Sequence, residues 1–162
     1  VDKDSIRFMM LNRSNDVELD FDFDKVLEKS KDNPVFYVQY SFARINSLFR
    51  TLNKNLDEKI ILDQREFNLN DSETRIIRKI FEWPKIIEAA SKKYEPHRIP
   101  YYLYELATLF HSYWSKGNED QNYKFIENGK IKKTETLVTI VLTSIVIQRG
   151  MNILGVSLPK KM

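Results

Sequence analysis

Three side chains in this 162-residue sequence have the type and spacing to bind something other than the protein's own core: Tyr37, Tyr40 and Arg44. They lie in the stretch 33–52, NPVFYVQYSFARINSLFRTL. Separations of three and four residues, continued to Leu48, put them on one face of a helix. Phenol rings offer flat surfaces for stacking, and a guanidinium offers fixed planar donors to a phosphate or a polar edge. The same stretch carries a second stripe, Val38, Phe42, Ile45, Phe49 and Leu52, which is apolar throughout and is expected to face the core. At about 100° per residue the two stripes lie roughly 120° apart around the axis. The Tyr/Arg stripe is therefore expected to form a platform for a partner.

Other chemistry is poorly served. His97 and His111 are too far apart for an i, i+4 metal pair, and with no Cys there is neither a disulfide framework nor a thiolate zinc site. No Gly-rich phosphate loop and no GxSxG elbow occurs. Asp20, Asp22 and Asp24 alternate with apolar residues in LDFDFD, which invites a calcium loop. The EF-hand pattern, however, asks for Gly and Glu where Lys25 and Lys31 stand. The alternative is a short extended segment with Phe21 and Phe23 buried and the aspartates solvated or capping. His97 beside Arg98 at a helix start could hold a phosphate or could merely cap, and His111, beside an apolar stripe, reads as structural. Nothing resembles an active site.

The elements that must carry the Tyr/Arg face are helical. With 42% hydrophobic and 30% charged residues the chain is globular and large enough for one core, while 4 Gly and 5 Pro leave little for tight turns. Asn33 and Pro34 open the central helix. A short helix is expected over 5–12, and another over 25–30 capped by Asp24. Residues 53–69 read as loop. Asn70 and Glu73 then have capping-box spacing before the stripe Ile76, Ile80, Trp83, Ile87, Ala90 and Tyr94, which Pro84 should kink or break. A helix over 97–115 requires Pro100 in its first turn and buries Ile99, Leu103, Leu106, Phe110 and either Tyr113 or Trp114. Residues 115–133 read as a long exposed loop, and 134–149 as a buried helix that Gly150 ends or packs closely. The apolar run 137–147 is about half the length of a membrane span, so no membrane role is expected. The sum is an all-α helical bundle. A formal charge of +3 is too small to announce a nucleic-acid protein by itself. The start, Val-Asp-Lys-Asp, has no apolar leader and no initiator Met, and suggests a segment from inside a longer cytoplasmic parent.

Four stretches together resemble the C-terminal region of arginyl-tRNA synthetases: LDFDFD at 19–24, DNPVFYVQYSFAR at 32–44, EPHRIPYYLYELA at 95–107 and GMNILGVSLPKKM at 150–162. Their order and separations fit over nearly the whole chain. The resemblance implies an α-helical anticodon-binding domain over 32–162, of the kind carried by class I aminoacyl-tRNA synthetases, preceded over 1–31 by the end of the catalytic region. It implies arginine tRNA as partner through its anticodon loop, and a monomer joined to a catalytic domain in the same polypeptide. It implies no cofactor in this chain, ATP serving the parent, because no HxGH-type or KMSKS-type motif is present. By the same resemblance the tRNA contacts fall on Tyr37, Tyr40, Arg44, Met162 and, late in the second long helix, Tyr113, with a cytosine as the middle anticodon base. Leu154, Val156 and Leu158 are expected to anchor the tail and leave Met162 near Tyr37 and Tyr40. Where many members have Ala-His-Ala-Arg this chain has Ser41, Phe42, Ala43 and Arg44, and where members often have Arg it has Thr136. The alternative from the residues alone is a helical protein-interaction module, since Tyr and Arg also mark protein interfaces.

Overall fold

A computed structural model of the chain describes residues 2–18, 22–52 and 68–162. Its helices are α1 (Lys3–Leu11), α2 (Phe23–Leu27), α3 (Pro34–Thr51), α4 (Asp71–Phe81), α5 (Trp83–Lys93), α6 (Arg98–Glu119) and α7 (Thr134–Leu154). The helix α6 is the centre of the bundle, packed on α3, α4, α5 and α7, while α1 lies against α3 and α7. The all-α expectation holds, with one small addition described below.

Local chemistry explains most boundaries. Asn33 caps α3 by accepting from the Phe36 amide at 3.3 Å, while its own side-chain amide donates to the Val26 and Glu28 carbonyls at 2.7 and 2.9 Å. One buried side chain thus starts α3 and ties α2 to it. Asp22, not Asp24, serves the start of α2, accepting from the Asp24 amide at 3.1 Å. Phe23 is 63% exposed rather than buried, and Leu19, Asp20 and Phe21 lie outside the described residues, as do residues 53–67 of the expected loop. The Asn70–Glu73 capping box forms in full. Pro84 produces a break: α4 ends at Phe81 and α5 restarts with the proline in its first turn, where a missing amide proton is harmless. Tyr94 leaves its expected stripe because the backbone turns left-handed there at φ 54°, swinging the ring into solvent. Pro100 sits in the first turn of α6, as its ring requires.

The core joins Val38, Phe42, Ile45 and Phe49 of α3 to Ile99, Leu103, Leu106 and Phe110 of α6, with Ile140, Ile147 and Met151 of α7 beneath. Phe8 of α1 is fully buried in the same cluster, so the first segment shares the bundle's core. The helix α7 runs through Gly150 to Leu154, longer than expected. Among the described residues it alone is long and apolar enough to cross a bilayer, but 56% of its most apolar window is buried against the other helices, with Thr143 and Ser144 at its middle.

The expected loop 115–133 is largely ordered structure. Helix α6 continues to Glu119, a 3-10 turn follows at Gln121–Tyr123, and then a minimal hairpin pairs β1 (Ile126–Glu127) with β2 (Lys130–Ile131). Asn128 and Gly129, at φ 52° and 73°, make the two-residue turn in which both residues need positive φ. Phe125 pins the hairpin to α6, its ring 4.5 Å from that of Tyr113 and 5.5 Å from that of Trp114.

Tyr113 belongs to a buried polar network. Its hydroxyl donates to Glu73 Oε1 at 2.6 Å, Thr136 Oγ1 donates to the same oxygen at 2.7 Å, and the Asn70 amide holds Glu73 Oε2 at 2.9 Å. Glu73 is fully buried, so each donor compensates lost hydration. Burial pushes the Tyr113 phenol well above its usual pKa, keeping it a donor. Tyr113→Phe should therefore lower unfolding free energy by about 1–3 kcal/mol, because it strips a donor from a buried carboxylate. Urea denaturation of the two proteins measures this.

Candidate nucleic-acid interface

Helix α3 presents the Tyr/Arg residues to α6 rather than to open solvent, and this contact decides what each can do. Tyr37 is half-buried, its ring centroid 4.4 Å from that of His111 and 5.2 Å from that of Tyr104. Burial raises the Tyr37 phenol pKa, with the neighbouring Tyr104 adding to the shift. Tyr37 is thus a packed support, and the expectation of an open platform at that position is corrected. Tyr40 lies one turn on, stacked with Phe36 and His111, each at 5.6 Å. Leu48, expected on the same face, is buried: a step of four from Arg44 turns inward, whereas steps of three lead to Ser47 and Arg50, which are exposed.

Arg44 is the pivot. Its guanidinium carbon sits 4.4 Å from the Tyr40 ring centroid and 5.2 Å from that of Trp114, a cation held between two aromatic faces. Among the described residues no carboxylate forms an ion pair with it. His111 positions it instead. One ring nitrogen, Nε2, lies 3.2 Å from the Tyr37 carbonyl, and the other, Nδ1, lies 3.4 Å from Arg44 Nη1. A carbonyl can only accept and a guanidinium can only donate. The neutral tautomer with the proton on Nε2 is the form that satisfies both. Burial, opposed by the Tyr37 carbonyl and assisted by the Arg44 charge, lowers the His111 pKa to about 4.

The C-terminal tail completes the site. Leu154 and Val156 are buried and Leu158 is partly so, as expected of anchors. Gln39 Nε2 donates to the Ser157 carbonyl at 3.0 Å and Arg50 Nη1 to the Lys160 carbonyl at 2.7 Å. From the other side, Asp4 accepts from the Ser157 amide and hydroxyl, and Arg7 Nη1 donates to the Gly155 carbonyl at 3.1 Å. The tail so held brings Met162 to a cavity of about 400 Å³ lined by Tyr40, Arg44, Arg50, Trp114, Lys161 and Met162. Three of these six have cationic side chains and none has an acidic one. Such a lining offers aromatic and thioether surface to a flat ring and fixed donors to an anion or a base edge.

Of the expected contacts, then, Tyr40, Arg44 and Met162 converge on one cavity and Tyr37 stands behind it. Tyr113 is corrected: at 1% exposure, with its hydroxyl on Glu73, it has no face to offer a ligand. The aromatic that reaches the cavity is its neighbour Trp114. Thr136 likewise is buried on Glu73. His97 makes no side-chain cap, and Arg98 is taken by Glu95 at 2.5 Å, so the suggested phosphate site at the start of α6 lacks its cation. Among the described residues no group of three His, Cys, Asp or Glu could hold a metal ion.

Residues 38–162 match the profile of the DALR anticodon binding domain. The chain belongs to that family. It is 56% identical over 162 residues to the arginine–tRNA ligase of Pelagibacter ubique and 42% identical to that of Ruegeria pomeroyi. All of this chain is covered, against 28% and 29% of those relatives, so the chain spans just over a quarter of their length. The solved arginyl-tRNA synthetase of Plasmodium falciparum has the same fold over 98% of this chain and 26% of its own, with a TM-score of 0.78 at 21% identity. The DALR match includes the convergent site residues Tyr40, Arg44, Trp114 and Met162.

The His111 shift has a pH consequence. A histidine whose folded pKa lies below its unfolded value, here about 4 against 6.5, stabilises the fold only while it is neutral. That contribution is present above pH 6.5 and is lost as pH falls toward 4, to a total of roughly 3 kcal/mol. His111→Gln, which cannot titrate, should show a shallower loss of stability over this window in denaturant titrations at pH 7, 5.5 and 4.

Proposed function

We propose that this chain recognises the anticodon loop of an arginine tRNA, as the RNA-binding part of an arginine–tRNA ligase acting in the cytoplasm. The observation that carries the reading is the cavity over Tyr40, in which Arg44, Arg50 and Lys161 surround aromatic and thioether surface within a DALR domain. Anticodon bases are single-stranded and can be splayed from the loop, which suits a cavity of this kind. A cytosine would stack against the Tyr40, Arg44 and Trp114 planes and present the acceptors of its pairing edge to the guanidinium donors. Arg50 and Lys161 would meet the flanking phosphates, and Met162 would close over the base. Arginine activation with ATP belongs to the remaining polypeptide, since this chain has neither an HxGH-type nor a KMSKS-type sequence.

Tyr40→Ala in the full-length protein should weaken binding of arginine tRNA about tenfold, given stacking energies of about 1–3 kcal/mol. Arg44→Ala should weaken it as well, and a tRNA altered at the middle anticodon base should lose most of the difference between wild type and Arg44→Ala. Tyr37→Ala, by contrast, should lower the melting temperature, because its ring packs on Tyr104 and His111. Binding titrations at two salt concentrations, with thermal melts of each variant, measure these effects. Equal affinity of wild type and a folded Tyr40→Ala for the tRNA would overturn the reading.

A further inference from the structure

Helix α1 clamps the chain where it leaves α7. Asp4 is buried, and one of its carboxylate oxygens accepts from the Ser157 amide at 3.0 Å and also from the Ser157 hydroxyl. One turn further along α1, Arg7 donates to the Gly155 carbonyl at 3.1 Å. Gly155 permits this approach: it turns the chain at φ 67°, and a Cβ there would run into the Arg7 guanidinium. The helix is itself fixed, because Phe8 is fully buried in the bundle's core. On its other side the Ser157 peptide is held by α3, where Gln39 donates to the carbonyl at 3.0 Å. Neither Asp4 nor Arg7 lines the cavity over Tyr40, and both precede residue 38, where the DALR match begins.

The short chain beyond the clamp gives it leverage. Residues 158–162 lead from Ser157 to Met162 and, fully extended, reach at most roughly 17 Å. Leu158 is partly buried and residues 160–162 are exposed, so packing holds this end weakly. A change of direction at Ser157 therefore carries Lys161 and Met162 away from the cavity that they line. We propose that Asp4 and Arg7 are positioning residues for the RNA site. Helix α1 sets the direction in which the tail leaves α7, and so places Lys161 and Met162 against the bound nucleotide. The RNA-binding unit then begins at α1 rather than at the start of the DALR match. A tail ordered beforehand meets its ligand without first losing backbone freedom, and the gain in affinity lies there. This assignment rests on the RNA reading of the cavity over Tyr40.

The test uses the full-length protein and arginine tRNA. Arg7→Ala and Asp4→Ala should each raise hydrogen exchange in the peptide 156–162, read by mass spectrometry, and weaken tRNA binding about three- to tenfold. In a protein that lacks residues 159–162, the same substitutions should cost no further affinity, because the tail through which they act is gone. Asp4→Asn keeps an oxygen that can accept from Ser157, and should bind tRNA nearly as the wild type does. Asp4 lies in the first turn of α1, where its charge also favours the helix. Arg7 is exposed, so Arg7→Ala keeps the test open if Asp4→Ala fails to fold. The inference is overturned if Arg7→Ala leaves exchange in the tail or tRNA affinity unchanged, or weakens binding equally with and without residues 159–162. It is overturned too if removing those residues costs no affinity while Tyr40→Ala does; the cavity then binds RNA without the tail. If Tyr40→Ala is also without effect, the RNA reading itself falls.

Discussion

The site depends on keeping one buried imidazole neutral. His111 joins α6 to α3 by donating from Nε2 to the Tyr37 carbonyl and accepting at Nδ1 from Arg44. Each bond fixes the other, since a proton on Nδ1 would abolish the acceptor and place a second charge beside the guanidinium. A carboxylate in that position would have held Arg44 more strongly, but would also have neutralised it. A neutral acceptor orients the guanidinium and leaves its charge available. The aromatic rings of Tyr40 and Trp114 act in the same sense, confining the cation through their faces without cancelling it. Arg44 is thus preorganised toward the cavity, which lowers the ordering cost that a ligand must otherwise meet.

The last residues are positioned by a different device. The tail has no secondary structure after α7, yet side chains from two helices take its carbonyls at Gly155, Ser157 and Lys160, and Asp4 takes the Ser157 amide. Ordering such a segment costs on the order of 1–2 kcal/mol of backbone entropy per residue. Burial of Leu154 and Val156 offsets part of that at the near end. The hydrogen bonds to Arg50 and Gln39 extend the order outward to the cavity. The helix α1 takes part through Asp4 and Arg7, so the N-terminal segment has a structural connection to the binding face even though it contributes no residue to it.

Much of this was legible in the sequence, and the misses have physical reasons. The core stripe of α3, the placements of Pro34, Pro84 and Pro100 and the Asn70–Glu73 box follow from local periodicity and capping chemistry, which short range suffices to specify. Tyr113 and Trp114 stand three and four residues after Phe110, so either could face the core by spacing alone. What separates them is the Glu73 network, whose members are 40 and 63 residues from Glu73 along the chain. Leu48 was misplaced for a related reason: a face read in steps of four drifts around the helix, and only the position of α6 shows where the interface ends. The hairpin had a sequence signal in Asn128–Gly129 flanked by Phe125, Ile126 and Ile131, obscured by the charged residues around it. His111 reads as structural from its place beside an apolar stripe, and it is; its particular bonds to Tyr37 and Arg44 could not be read, because those partners lie 74 and 67 residues away.

The charge distribution reconciles a nearly balanced composition with the anionic ligand proposed for the cavity. A net +3 spread over the surface would attract RNA weakly. Several of the acids are instead occupied by cations outside the cavity lining: Glu82 and Glu105 with Lys79, Glu88 with Lys92, and Glu95 with Arg98. Glu73 is internal. The cations of the cavity, Arg44, Arg50 and Lys161, have no such partners among the described residues. What a polyanion meets on this face is therefore a local excess of positive charge that the whole-chain sum conceals. Potentials near a concave, low-dielectric wall depend on that local excess far more than on the total. If RNA is the ligand, as proposed, selectivity between sequences would fall to the one guanidinium that the structure orients, and non-selective attraction to the lysine and arginine around it.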